Sequence, residues 1–144
     1  MPRTATDHIR RAVHADAARI FEIRFAVREN RLSNPNLVTA ADVAWFIDNP
    51  GIWLWDEDGK VKGFAAADAR DGTVWALFID PAHEGRGVGR ALLQAALATL
   101  RDAGHRTARL STGPGTRADR FYRIGGWIPI GQTEKGEVLL EHDL

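Results

Sequence analysis

The chain contains no cysteine in its 144 residues. That excludes disulfide frameworks, thiolate metal sites, thiol nucleophiles and iron–sulfur chemistry together, and it suits a reducing compartment. A run of about 18 apolar residues, the length that crosses a bilayer, is also missing. The opening residues, MPRTATDHIRR, lack the apolar core of a secretory signal, so a cytoplasmic protein without a membrane partner is expected. The five histidines, at 8, 14, 83, 105 and 142, have no metal-type spacing, and no G-x-S-x-G elbow occurs. No metal site and no hydrolase centre is expected. Charge of one sign is lacking too: 19 Lys+Arg balance 19 Asp+Glu, which argues against a nucleic-acid partner, since that binding rests on a basic surface.

What is present is enough for one domain spanning residues 1–144. At this length about 68–70% of the unfolded surface can be buried, and a hydrophobic content of 44% supplies the core. The charge balance is not uniform along the chain. Residues 1–39 carry +3, residues 40–82 carry −5, residues 83–123 carry +5 through eight arginines, and residues 124–144 carry −3.

Periodicity and punctuation give the element order βααβββαβαββ. A short strand is expected over 8–13 and a helix over 15–28, with Ile20, Ile23 and Val27 at helical spacing. Thr39 caps a second helix that Pro50-Gly51 stops. Strands over 52–55, 61–68 and 74–79 are joined by Asp58-Gly59 and Asp71-Gly72, the mark of an antiparallel meander. A long helix over 87–103 carries the apolar stripe Val88, Leu92, Ala96 and Leu100 and ends at Gly104. A strand over 106–111, a short helix over 117–124, and strands over 128–132 and 138–141 close the chain. The fold class is α+β, a mixed sheet flanked by helices. Trp53 and Trp55 should share one face of their strand, and Trp75 should share a face with Leu77 and Ile79.

The most informative segment is VWALFIDPAHEGRGVGRALL, residues 74–93. A strand runs through a turn holding Gly85, Gly87 and Gly89 directly into a helix. Glycines permit close backbone approach, and a helix start offers unpaired N–H groups and a positive dipole end. This is an anion cradle to which Arg86 and Arg90 would add charged donors. A Walker loop is excluded by the missing Lys-Ser/Thr pair, and neither glycine register fits a dinucleotide fingerprint.

The segment resembles the pyrophosphate loop of the GCN5-related N-acetyltransferases. Ile79-Asp80-Pro81 supplies the family's hydrophobic-x-Pro step, and Glu84-Gly85-Arg86-Gly87-Val88-Gly89 matches [QR]-x-x-G-x-[GA] except at Glu84. A second segment, TRADRFYRIGGW at 116–127, is similar to the family's late motif through Ala118, Phe121, Tyr122, Gly126 and Trp127. Gly115 stands where many members carry Asn. The resemblance implies a single N-acetyltransferase domain using acetyl-CoA as co-substrate, with direct attack of an amine on the thioester. It places the Leu77 N–H at the developing oxyanion and Ile79 and Phe78 along the pantetheine arm. Residues 84–90 would hold the pyrophosphate, and Tyr122, the only tyrosine, would be the general acid that also meets the cofactor. The missing cysteine excludes an acyl-cysteine intermediate, and the +5 block coincides with both motifs, matching the phosphates of CoA.

The acceptor side is less defined. The resemblance bounds it by the first two helices, their loop and the central strands. Glu29, Asn30, Asp68 and Asp80 are the candidates to meet the amine, with Glu29 preferred as base because it sits in the polar stretch VRENRLSNP. Arg24 and Arg28, one helical turn apart, could clamp a substrate carboxylate. The expected acceptor is a primary amine of a small molecule or peptide. The rival readings are an acyl-CoA sensor of the same fold without turnover and a nucleotide-binding protein of another class. The closing strands could pair two copies at an edge as a homodimer.

Overall fold

Asp58 and Gly59 turn the chain with positive φ at both residues, 55° and 81°. This is the two-residue geometry that matches strand twist, and it joins β2 (Ile52–Glu57) to β3 (Lys60–Asp68). The computed structural model describes residues 8–26, 39–49, 51–83 and 87–144. Around this hairpin the order is β1 (Ile9–Arg11), α1 (Ala17–Ala26), α2 (Ala40–Asp48), β2, β3, β4 (Thr73–Ile79), α3 (Val88–Asp102), β5 (Thr107–Thr112), α4 (Arg117–Ile124), β6 (Ile128–Gln132) and β7 (Val138–Asp143). The order is the one expected. A short 3-10 turn, His14–Asp16, precedes α1, where the helix was expected to have begun. The Asp16 carboxylate accepts from the Val13 N–H at 2.8 Å and from Arg10 at 2.9 Å, which fixes the entry into the helix. The expected end of that helix lies outside the described residues. Thr39 caps α2 reciprocally, its hydroxyl accepting from Asp42 N–H at 3.2 Å while the Asp42 carboxylate accepts from Thr39 N–H at 2.9 Å.

The seven strands form one sheet in the order β1-β2-β3-β4-β5-β7-β6. Every neighbouring pair is antiparallel except β4 with β5. Helices α1 and α2 cover one face, where Ile20, Ile23, Val43 and Phe46 pack on Ile52, Leu54, Phe64 and Ala66. Helices α3 and α4 cover the other, where Leu92, Leu93, Ala96, Leu100 and Tyr122 pack on Trp55, Ala65, Val74, Ala108 and Leu140. Trp53 and Trp55 both join the α3 side, while Ile52 and Leu54 join the α2 side, as period-2 alternation requires.

Trp75 departs from that alternation. Ala66 pairs with Ala76, but Ala67 pairs with Val74, so Trp75 is an extra residue on β4. This is a β-bulge, two residues against one. The indole turns onto the α2 face beside Phe46, whereas Leu77 and Ile79 pack on the α3 face. The expectation that all three share a face fails because an inserted residue breaks the period.

At the far end of the sheet β6 is exposed along its whole length. Ile128 and Ile130 stand 64% and 43% accessible.

Candidate active site

Strands β4 and β5 are paired at one position, Thr73 opposite Arg109. Beyond it they part. The consequence for the backbone follows from the ladder on the other side of β4. Asp80 N–H donates to Lys62 C=O at 2.9 Å, and the same register places Gly63 opposite Ile79, Phe64 opposite Phe78 and Ala65 opposite Leu77. Antiparallel pairs alternate between bonded and non-bonded. Lys62–Asp80 is bonded, so Phe64–Phe78 is bonded, and Ala65–Leu77 and Gly63–Ile79 are not. The N–H and C=O groups of Leu77 and Ile79 therefore point away from β3, into the gap that β5 leaves open.

The start of α3 stands at the end of this gap. Gly87 is its N-cap with φ 79°, a left-handed conformation that glycine adopts without penalty. The first bond of the helix runs from Ala91 N–H to Gly87 C=O at 3.2 Å. The N–H groups of Val88, Gly89 and Arg90 thus have no partner within the helix. Val88 is buried and anchors the turn, while Gly87 and Arg90 are exposed. A Cβ on Gly89 would lie 3.7 Å from Ile79 Cγ1 and 3.9 Å from Phe121 Cε1. The end of β4, the start of α3 and the middle of α4 therefore meet, which brings the two sequence motifs to one place.

Tyr122 lies on α4 with its ring 6% accessible, edge-on to Phe121 at 5.3 Å and to Trp127 at 5.6 Å. Burial pushes its phenol above the ordinary tyrosine range, so the side chain is a proton holder at any physiological pH. Its hydroxyl makes no hydrogen bond among the described residues. The helix is set by Thr116, whose hydroxyl accepts from Asp119 N–H at 3.2 Å. The Asp119 carboxylate accepts from Gly115 N–H at 2.9 Å and from Arg123 at 2.7 Å. Gly115 is thus held by its backbone and supplies no side chain where Asn is common.

The carboxylates expected on the acceptor side are engaged. Asp68, at the end of β3, receives Arg70 side-on at 3.0 and 2.8 Å and the Arg70 N–H at 2.9 Å. The Arg70 guanidinium holds its carboxyl below the usual range. Asp80 receives Arg19 at 2.7 Å and Ala82 N–H at 3.0 Å. Burial works against its charge, yet these two donors leave it lowered as well. Two well-held carboxylates are poor bases. Arg24 is half-buried on α1 and, among the described residues, has no carboxylate partner; burial lowers its pKa. Arg28, Glu29, Asn30, Glu84, Gly85 and Arg86 lie outside the described residues.

Four of the eight acids in the stretch 40–82 are paired with Arg or Lys. Arg10 pairs with Asp56, Arg19 with Asp80, Lys62 with Glu57 and Arg70 with Asp68. An open cleft of about 490 Å³, lined in part by Arg10, Asp16, Arg19, Lys60, Lys62 and His83, carries the cations of three of these pairs and includes no residue of β4 or β5. No group of residues suited to a metal ion occurs among the described residues, and no described helix is long and apolar enough to cross a membrane.

The family model for the acetyltransferase (GNAT) family matches residues 12–126. The chain belongs to the GNAT family. A GNAT relative, the mycothiol acetyltransferase of Beutenbergia cavernae, is 36% identical over 92 residues, which is 60% of this chain and 31% of that protein. The chain thus spans about a third of that relative's length. Among solved GNAT structures, a GCN5-related N-acetyltransferase from Rhodopseudomonas palustris matches with a TM-score of 0.80 at 16% identity, covering 94% of each chain. YncA of Salmonella typhimurium, solved with its cofactor acetyl-CoA, matches with a TM-score of 0.70 at 24% identity, covering 94% of this chain and 92% of that one.

Two features of this GNAT site were not read from the sequence. One is the bulge at Trp75. The other is Arg70, which holds Asp68 on one side and lies 4.1 Å over the Trp45 ring on the other. The Arg70–Asp68 spacing, two residues across a turn, was the available signal.

Proposed function

We propose that this chain is an acetyl-CoA-dependent N-acetyltransferase domain that moves an acetyl group directly to a primary amine of a small molecule or peptide. The observation that carries the reading is the open β4–β5 gap, with Leu77 and Ile79 turned into it and a glycine-capped helix start at its end. Such a gap offers strand-like backbone bonding to an extended arm, and the helix start offers N–H groups to a diphosphate. The co-substrate supplies the activated acyl group. Ile79 binds the arm through its backbone, with Phe78 beside it in the strand. Gly87, Val88, Gly89 and Arg90 receive the phosphates together with Glu84, Gly85 and Arg86.

The Leu77 N–H donates to the thioester oxygen as negative charge develops there. A preorganised donor of this kind contributes about 3–4 kcal/mol to the barrier. Tyr122 holds the proton for the departing thiolate. A free thiol titrates near about 8.5 and a free phenol near about 10. The burial that raises the phenol raises a thiol in the same pocket, so the transfer does not become steeper by the full shift of either group. The base is not Asp68 or Asp80 in their described pairings. Glu29 keeps that role in the proposal, with Arg24, Arg28 and Asn30 on the acceptor side. The name of the Beutenbergia relative supports a small-molecule acceptor. A reducing cytoplasm suits a chain without cysteine, and pairing of two copies along β6 is checked by sedimentation.

The test is release of CoA thiol across a panel of primary amines, with acetyl-CoA binding measured separately. Release on at least one amine supports the proposal. Tight binding with no release on any amine favours the sensor reading, to which the Gly115 and Glu84 departures give some ground. Absence of binding overturns both.

A further inference from the structure

The chain leaves the sheet at Asp80. The β3–β4 ladder ends where the Asp80 N–H donates to the Lys62 C=O at 2.9 Å, and Pro81, without an N–H, cannot extend it. A short 3-10 turn, Pro81–His83, follows. Two bonds fold this turn back on Asp80: His83 N–H donates to its C=O at 2.8 Å, and Ala82 N–H donates to its carboxylate at 3.0 Å. The other carboxylate oxygen accepts from Arg19 Nη2 at 2.7 Å. Arg19 belongs to α1 and is itself fixed, since its Nε donates to the Val61 C=O on β3 at 2.9 Å and its Nη1 to Glu22 on α1 at 2.5 Å. One guanidinium therefore joins α1, β3 and the end of β4.

We propose that Arg19 is a positioning residue for the acetyl-CoA phosphates: through the Asp80 carboxylate it sets the direction in which the turn Pro81–His83 leaves the sheet, between Ile79 and the helix start at Gly87. This rests on the function proposed above.

The physical argument separates the shape of the turn from its direction. The bonds from Ala82 and His83 both end on Asp80, so they fix the shape of the turn and leave its angle to the sheet unset. The ladder fixes the Asp80 backbone but not its side chain. That carboxylate carries Ala82 N–H on one oxygen and Arg19 on the other, so the turn follows the guanidinium. A planar fork with N–H groups at fixed angles suits this task, because it can meet three acceptors at once in one geometry. Lys62 lines the same cleft, but its ammonium is held by Glu57 at 3.0 Å, which leaves the Asp80 oxygen to Arg19. An ion pair of this exposure, 31% and 23% for the two side chains, adds little to stability. Its loss should therefore move the turn without unfolding the chain.

The experiment compares Arg19→Ala, Asp80→Asn and the double variant in the full chain. Acetyl-CoA Kd is read by calorimetry, kcat and KM by thiol release, and the Ala82 and His83 amide signals by NMR. Arg19→Ala is expected to shift both amide signals and to raise the acetyl-CoA Kd and KM about tenfold, within what a displaced group costs. Its kcat at saturation should stay within about twofold, the mark of lost uniform binding. Asp80→Asn keeps an acceptor for Ala82 but turns a neutral amide to Arg19, and it should weaken binding in the same way. The double variant should bind no more weakly than the weaker single variant, because both act through one link. Direct contact of Arg19 with a phosphate predicts the opposite for Asp80→Asn, which removes a negative charge and frees the guanidinium. Tighter binding in that variant would overturn the proposal. So would an unchanged Kd in Arg19→Ala, a loss confined to kcat, unmoved amide signals, or additive losses in the double variant. If Arg19→Ala does not fold, Arg19→Lys, which keeps the charge and loses the fork, carries the test with a smaller loss of affinity. A wild type that binds no acetyl-CoA overturns the function proposed above and this role with it, whereas equal binding by wild type and Arg19→Ala overturns this inference alone.

Discussion

Gly63 on β3 and Ile79 on β4 stand directly opposite each other, and a Cβ on Gly63 would come within 2.9 Å of Ile79 Cδ1. The same Cβ would lie 3.0 Å from the Phe78 C=O oxygen and 3.1 Å from Leu92 Cδ1. The side-chain ends can yield, but the carbonyl belongs to the strand. Gly63→Ala is therefore expected to destabilise by about 1–3 kcal/mol, the usual range for an overpacked core. Because Ile79 is the residue pushed, acetyl-CoA affinity should fall as well. Urea unfolding and calorimetric titration of the same variant check the two effects.

Gly87 isolates the role of the loop from that of the fold. Its φ of 79° costs an L-residue about 1–2 kcal/mol, and a Cβ there would meet nothing within 4 Å. Gly136, in the turn between β6 and β7, has φ 83° and equally open space. The two alanine substitutions should cost similar stability. Gly87→Ala alone should weaken acetyl-CoA, by tenfold or more, because the added methyl enters the space assigned to the phosphates. Equal affinity in both variants would remove the phosphates from this helix start.

Asp119 is 5% accessible and closes the start of α4. Arg123 first, and the Gly115 N–H second, hold its carboxyl below the usual range. A carboxyl lowered on folding contributes stability that is present above its unfolded pKa of about 4 and lost as pH falls below it. Asp119→Asn keeps an acceptor for one partner and presents an N–H₂ to the other, at a cost of about 1–3 kcal/mol. The difference in unfolding free energy between wild type and variant should be present at pH 7 and shrink toward pH 3.

Much of this architecture was legible from pattern. The placing of Trp53 and Trp55 against Ile52 and Leu54 follows from strict alternation in β2. The meeting of Ile79, Gly89 and Phe121 follows from two motifs with recognisable spacing. What escaped was whatever depends on a single inserted residue or on a turn. Period-2 counting assigns Trp75 to the face of Leu77, and only the pairing of Ala67 with Val74 reveals the extra residue. Asp68 looked like a free carboxylate because its partner, Arg70, reaches it only once the turn is formed. The same local pairing explains why the acidic stretch 40–82 does not act as a bare −5 field: Arg10 and Arg19 are brought to Asp56 and Asp80 from a separate, basic stretch.

Tyr122 gives the sharpest reading of the chemistry because it is the only tyrosine. Burial raises its phenol above the ordinary value of about 10. The folded chain therefore keeps the proton where the unfolded chain has begun to release it. The stability this contributes is complete below about pH 10 and is lost as pH rises beyond it, by up to about 1.4 kcal/mol per pH unit. Phenolate absorbance near 295 nm, a wavelength set by the chromophore, should accordingly appear only together with loss of the circular-dichroism signal. In Tyr122→Phe the alkaline limb of the stability curve should flatten, while the melting temperature at pH 7 changes little because the hydroxyl has no described partner. If the phenol also protonates the departing thiolate, kcat in this variant falls about 100-fold with acetyl-CoA affinity retained. A phenolate signal rising near pH 10 with the fold intact would mean that the hydroxyl is solvated. A full kcat at a pH where chemistry limits the rate would leave Tyr122 as a core aromatic and assign the proton to water.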